Sequence, residues 1–171
     1  MMTIYMSIYN TIVTSIYNSP LYPGVIEKLN KVAPSRVVLL ANHECVGFRR
    51  YVEENYKSSS KLVLLREIYT DADVVEDRVD GVLNNLKEGC PTITFEARGA
   101  YQALLQGVEG AYMHPDGERE WSHNWRMPRA GMLYDATPDD LFVGSCHRDK
   151  VTARRAGVKF KWSRLFFGPG K

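Results

Sequence analysis

Apolar and polar positions follow two rhythms along this chain, and the switches between them divide it into elements. Thr3 to Thr14 is rich in Ile, Tyr, Val and Thr, which predicts a strand. Ser19-Pro20-Leu21-Tyr22-Pro23-Gly24 then reads as a loop. Val25, Ile26, Leu29 and Val32 recur at helical spacing until Pro34, and Pro23 suits the entry to that helix. Arg36 to Asn42 is a short unbroken apolar run, the pattern of a central strand covered on both faces in a parallel sheet. Val46 to Lys57 reads as a helix, Ser58 to Ser60 as a break and Lys61 to Tyr69 as a strand. Asp73 to Glu88 reads as a helix with Val74, Val75, Val79, Val82, Leu83 and Leu86 inward, closed by Gly89. Thr92 to Phe95 is β-rich, Tyr101 to Leu105 suggests a short helix, and His114 to Arg129 is a polar loop. Asp140 to Gly144, Asp149 to Ala156 and Val158 to Trp162 complete the chain as strand, helix and strand. Strands alternating with helices imply an α/β fold around a doubly wound, Rossmann-like parallel sheet. There are no internal repeats.

Composition narrows the class. With 171 residues, 44% hydrophobic and 25% charged, the chain has enough apolar content for one folded core and no run near the roughly 18 apolar residues of a membrane helix. No basic residue precedes the apolar start, so a signal peptide is not expected, and a cytoplasmic setting or one inside a virion or other large assembly fits better than secretion. Cys45, Cys90 and Cys146 are too far apart for a thiolate zinc knuckle and too few for a disulfide framework. Charge is uneven. Arg148, Lys150, Arg154, Arg155, Lys159, Lys161, Arg164 and Lys171 face only Asp149 in residues 148–171, a local +7 that leaves −5 elsewhere in a chain of net +2. Such a segment could meet phosphate, nucleic acid or an acidic partner, though a solvated helix face is the plainer reading.

In a doubly wound sheet, ligands sit outside the carboxyl ends of the strands. Candidate chemistry therefore lies at Ser7 to Thr11, Ala41 to Cys45, Glu67 to Thr70, Glu96 to Gly99 and Ser145 to Asp149. His43, Cys45, Cys146 and His147 could meet Tyr9 and Asp149 around that crevice, but they lack the close pairing of zinc ligands, and buried thiols with surface histidines are the simpler account. Trp121 and Trp125, with Arg119, His123 and Arg126, could pack the sheet opening, form a protein interface or stack bases. Glu96 and Arg98 read as an exposed ion pair.

Three stretches carry a resemblance. Residues 141–168, LFVGSCHRDKVTARRAGVKFKWSRLFFG, are similar to the last motif of haloacid-dehalogenase (HAD) superfamily phosphatases, in particular the polynucleotide 3′-phosphatase and sugar-phosphate branches. In that family a hydrophobic strand ends in V-G-D, an acid follows four residues on, and A-G-V leads to an aromatic strand; here the frame reads Val143-Gly144-Ser145, Asp149, Ala156-Gly157-Val158, Phe160 and Trp162. Residues 5–44 resemble the first and second motifs with the P-G-V-x-x-x-L helix between them, and RMPRAGML at 126–133 resembles the third. The resemblance implies one HAD-like domain over residues 1–171, a three-layer sandwich in which 58–125 is a divergent or inserted segment.

The family's chemistry does not carry over with its frame. The resemblance implies a nucleophilic aspartate and a second, acid–base aspartate where this chain has Ser7 and Tyr9. It implies a phosphate-binding hydroxyl where Ala41 stands, a lysine where Met127 stands, and a magnesium-binding aspartate where Ser145 stands. Tyr112-Met-His-Pro-Asp-Gly resembles the turn that opens a zinc loop in one branch, without its cysteines. Magnesium is usually anchored by one or two carboxylates, so the site is expected to be lost and no cofactor is expected. Asn10, Thr11, Asn42, Arg126, Arg129 and Asp149 remain as candidate ligand-binding groups. The expectation is a pseudophosphatase, a catalytically inactive binding, structural or assembly component with a protein partner, its basic 148–171 segment open to phosphate or nucleic acid. The alternatives are a phosphate-ester hydrolase with an unusual nucleophile, Ser7 or Cys146, and a phosphate or nucleotide sensor.

Overall fold

A computed structural model describes residues 2–15, 18–41, 72–99, 111–113, 120–122 and 127–168. Its core is a five-stranded parallel sheet built from β1 (Thr3–Ser7), β4 (Arg36–Leu40), β5 (Thr94–Arg98), β8 (Leu141–Gly144) and β9 (Lys159–Trp162), in the order β5-β4-β1-β8-β9. The expected doubly wound α/β architecture is what forms. β4 lies inside the sheet between β5 and β1, as its apolar run predicts, and β1 holds the middle place. Both strands are buried almost end to end, because helices cover both faces.

Strand alternation sorts the side chains between two cores. One face carries Ile4, Met6, Val37, Leu39, Phe95, Leu141 and Val143 against α1 (Val25–Val32) and α2 (Ala72–Gly89). The opposite face carries Tyr5, Val38, Leu40 and Phe142 against α3 (His147–Ala156), the short 3-10 turn Gly131–Leu133, and Met127. Fully burying a side chain such as Leu29 or Leu39 contributes about 1.5–3 kcal/mol, so these two layers dominate the fold's stability.

Several boundaries differ from the sequence expectations. Thr3 to Thr14 is not one strand: β1 stops at Ser7, a turn follows in which the Ile8 carbonyl accepts from the amides of Thr11, Ile12 and Val13, and β2 (Val13–Ser15) pairs antiparallel with β3 (Asn18–Leu21). The segment expected as a loop at Ser19 thus starts as a strand, and Pro20 is tolerated because this two-stranded ribbon is all edge. Gly89 is the last residue of α2, not a left-handed cap; a Cβ there would lie 2.6 Å from Ile26 Cδ1, so its smallness lets α2 close on α1. The β-rich segment near Thr92 begins pairing at Thr94 and runs to Arg98. Within the polar stretch from His114, β7 (Glu120–Ser122) pairs with β6 (Ala111–Met113). A final helix, α4 (Ser163–Phe167), was not anticipated. The elements expected at Val46 to Lys57, Lys61 to Tyr69 and Tyr101 to Leu105, and the side chains of Val74 and Val75, lie outside the described residues.

Candidate functional site

The carboxyl ends of β1, β4 and β8 meet at a cleft of about 420 Å³ lined by Ser7, Ile8, Tyr9, Asn10, Leu40, Met127, Ser145, Cys146, Arg148 and Asp149. Register puts Ser7 level with Leu40, and Leu40 level with Arg98, so the ends of three strands form one row. The turn after β1 then lifts Tyr9 and Asn10 to the rim. Asn10 has φ 62°, a left-handed conformation that Asn tolerates better than most residues, and its amide donates to the Val13 carbonyl at 2.7 Å.

A chain of hydrogen bonds crosses the cleft floor. Ser7 Oγ donates to Asp149 Oδ2 at 2.7 Å, and Thr11 Oγ1 lies 2.6 Å from Ser7 Oγ. Ser7 has a single hydroxyl proton and gives it to the carboxylate, so Thr11 donates to Ser7. Asp149 Oδ2 also accepts the Ser145 amide at 3.0 Å, and the Ser145 hydroxyl donates to the Tyr9 carbonyl at 3.3 Å. Asp149 Oδ1 is buried with no hydrogen-bond partner among the described residues.

Local structure accounts for much of this. Cys146 is the N-cap of α3 and offers no side-chain cap, so the carboxylate of Asp149 in the first turn reaches back to the Ser145 amide, much as in a capping box. A negative group there also complements the helix dipole. Gly144 is needed for the close approach, since a Cβ on it would lie 2.5 Å from Asp149 Cβ. Gly157 closes the same helix with φ 74° while the Val158 amide reaches the Ala153 carbonyl at 3.1 Å. The A-G-V of the last motif is therefore a helix ending.

The remaining sequence candidates are scattered. Met127 is buried at the cleft wall, where its thioether carries no charge. Ala41 is buried and its amide donates to the Arg98 carbonyl. Arg129 is exposed and is not among the cleft-lining residues. Asn42, Arg126, His43, Cys45, Arg119, His123 and Trp125 lie outside the described residues, as does the side chain of Trp121. Cys146 lines the cleft, while His147 is exposed and does not line it. Among the described residues no three His, Cys, Asp or Glu side chains come together as a metal-binding group. Arg148, read from the sequence only as part of a basic run, lines the cleft and is its cation among the described residues.

The Glu96 and Arg98 pair requires correction. Arg98 is only 3% exposed, not a surface residue. Its guanidinium donates to both carboxylate oxygens of Asp135 at 2.8 and 2.9 Å, to Glu96 at 3.2 Å and to the Met132 carbonyl at 2.7 Å. Arg36 bridges Glu96 and Asp135 as well, and Tyr5 donates to Asp135 at 2.7 Å. Hydrogen bonds from Arg98, Tyr5 and Arg36 hold the Asp135 carboxyl well below the usual carboxylate range, while burial pushes the Tyr5 phenol up. The cluster ties the 3-10 turn and the cleft wall beyond it to the sheet.

No protein-family model matches this chain, and no curated protein matches it. Among solved structures it is similar to the crystal structure of a candidate HAD-like phosphatase from Mesorhizobium loti, with 17% identity, a TM-score of 0.51, and 92% of this chain and 69% of that one covered. At that identity the likeness speaks for architecture. The chain has a HAD-like α/β fold, a five-stranded parallel sheet between helical layers with its cleft at the strand ends.

Proposed function

We propose that this chain is a catalytically silent relative of the HAD-like phosphatases, closest in motif frame to the polynucleotide 3′-phosphatase branch, that acts by binding as part of a larger assembly. One observation carries the reading: among the described residues the cleft lining includes a single carboxylate, Asp149, whose Oδ2 is already occupied by the Ser7 hydroxyl and the Ser145 amide. Phosphoryl transfer depends on positioning and charge neutralisation, and this floor supplies hydroxyls where the family's chemistry requires anions. The donor set also fits magnesium poorly. An octahedral site needs several hard oxygens free to coordinate, and among the described residues the cleft offers one carboxylate oxygen without a hydrogen bond, Asp149 Oδ1, while Ser7 donates its proton to Asp149 and the Tyr9 carbonyl accepts the Ser145 hydroxyl.

The test is phosphate release from p-nitrophenyl phosphate and from a 3′-phosphorylated oligonucleotide, with and without magnesium; the expected result is no turnover above background. A second reading rests on the 2.7 Å bond between Ser7 and Asp149, in which the carboxylate acts as base and Ser7 Oγ as nucleophile of an ester hydrolase. Turnover that disappears in Ser7→Ala would establish that reading and end the first.

A further inference from the structure

The basic segment divides into two surfaces once it is folded. Phe160 shares a sheet face with Phe142, packing at 5.9 Å, so Lys159 and Lys161 alternate to the opposite face of the edge strand. On α3, Asp149, Thr152 and Ala153 turn inward, and Arg148, Lys150, Arg154 and Arg155 are exposed. At 100° per residue these four cations fall on one outward arc with His147, and the helix's one acid is the residue it buries. The arc begins at the cleft, which Arg148 lines, and runs for about 15 Å along a ten-residue helix.

This arrangement works against the helix that carries it. Lys150 and Arg154 are like charges one turn apart, and Arg148 and Lys150 sit in the first turn, where the helix dipole disfavours cations. Arg148, Lys150 and Arg154 form no ion pair among the described residues, and Arg155 donates only to the Pro128 carbonyl. Arg154 and Arg155 in the last turn suit the dipole, but the exposed cations at the helix start have no ion pair among the described residues and mark a surface that is neutralised from outside. Its chemistry is cationic, with half-buried Val151 the one apolar residue of α3 on that arc, whereas protein interfaces are depleted of lysine and centred on apolar anchors.

We infer that the outward face of α3 is a docking ridge for the phosphodiester backbone of nucleic acid, read by charge and not by base sequence. It rests on the binding role proposed above and names the partner. Backbone docking of this kind is dominated by release of counterions, so affinity falls steeply with salt.

The experiment is fluorescence anisotropy of labelled single-stranded and duplex oligonucleotides of mixed sequence with the full chain, in EDTA, across a salt series. Wild-type protein should bind, and the double variant K150Q/R154Q should bind about tenfold more weakly with a log–log salt slope shallower by about 1.5. Removing a like-charged pair should leave its melting temperature unchanged or slightly raised. K159Q/K161Q, on the other face, should match wild type. The inference is overturned if neither oligonucleotide binds at low salt, if K159Q/K161Q loses as much affinity as K150Q/R154Q, or if poly-L-glutamate displaces the oligonucleotide as well as equal charge of unlabelled DNA, which would indicate an acidic protein. Phosphate release from the oligonucleotide in a parallel magnesium reaction would end the silent-cleft reading and leave the ridge standing; lost binding without turnover would do the reverse.

Discussion

Gly81 and Gly144 make opposite demands at the scale of one methyl group. Nothing lies within 4 Å of a Cβ on Gly81, in the interior of α2, whereas at Gly144 the same atom would strike Asp149. Gly81→Ala is expected to stabilise the protein by about 0.5–1 kcal/mol by restricting the unfolded chain and favouring helix. Gly144→Ala should destabilise it by about 1–3 kcal/mol, since the start of α3 must shift to make room. Urea titration of both variants, with opposite midpoint shifts, checks the pair. The positions of Ser7, Ser145 and Asp149 were legible through the resemblance of their motifs, and for Ser145 and Asp149 a strand ending in glycine before a helix start also fixes the register. Arg148 was not, because a charge run carries no information about which member turns toward a cleft. Arg98 was hidden for a different reason: its partner Asp135 lies 37 residues away, and no periodicity links them.

Between elements, the Arg98 cluster acts as a clamp joining β5 to the segment that carries Met132 and Asp135. Removing a charged partner leaves a buried guanidinium poorly compensated, so Asp135→Asn should cost about 2–3 kcal/mol, less than for a fully buried pair because Asp135 keeps partial exposure. The pH dependence has a definite sign. A carboxyl whose folded pKa is depressed contributes fully above the ordinary carboxylate range, near pH 4, and its contribution is lost progressively as pH falls below it. Chemical denaturation from pH 6 down to pH 2.5 should show wild type losing stability more steeply than Asp135→Asn; parallel slopes would refute the clamp. At this scale the strands at Arg36 and Leu141 were plain in the sequence, since unbroken apolar runs have few alternatives. The β2–β3 ribbon was obscured because β2 shares the β-rich composition of β1, separated from it only by the hydrogen bonding around Ile8, while β3, Asn18-Ser19-Pro20-Leu21, is composed like a loop.

For the molecule as a whole, the proposed loss of phosphatase chemistry predicts that carboxylates placed at the mouth of the sheet should create a cation site. Ser7→Asp with Ser145→Asp would crowd three carboxylates around one point, lowering the melting temperature without metal and making it rise with millimolar magnesium. Thermal unfolding with and without magnesium measures this; wild type gaining as much from the ion as the double variant would refute the reading of the cleft.

The order of the sheet has a consequence for how the protein is made. β1 is synthesised well before β8, one of its two neighbours, and Asp140 beside that strand also accepts the Thr3 amide across 137 residues. During translation β1 must wait, half-bonded through β4 alone, until β8 has left the ribosome. That delay favours slow assembly and leaves one edge of a strand whose five residues all end up buried open to aggregation or chaperones until β8 arrives.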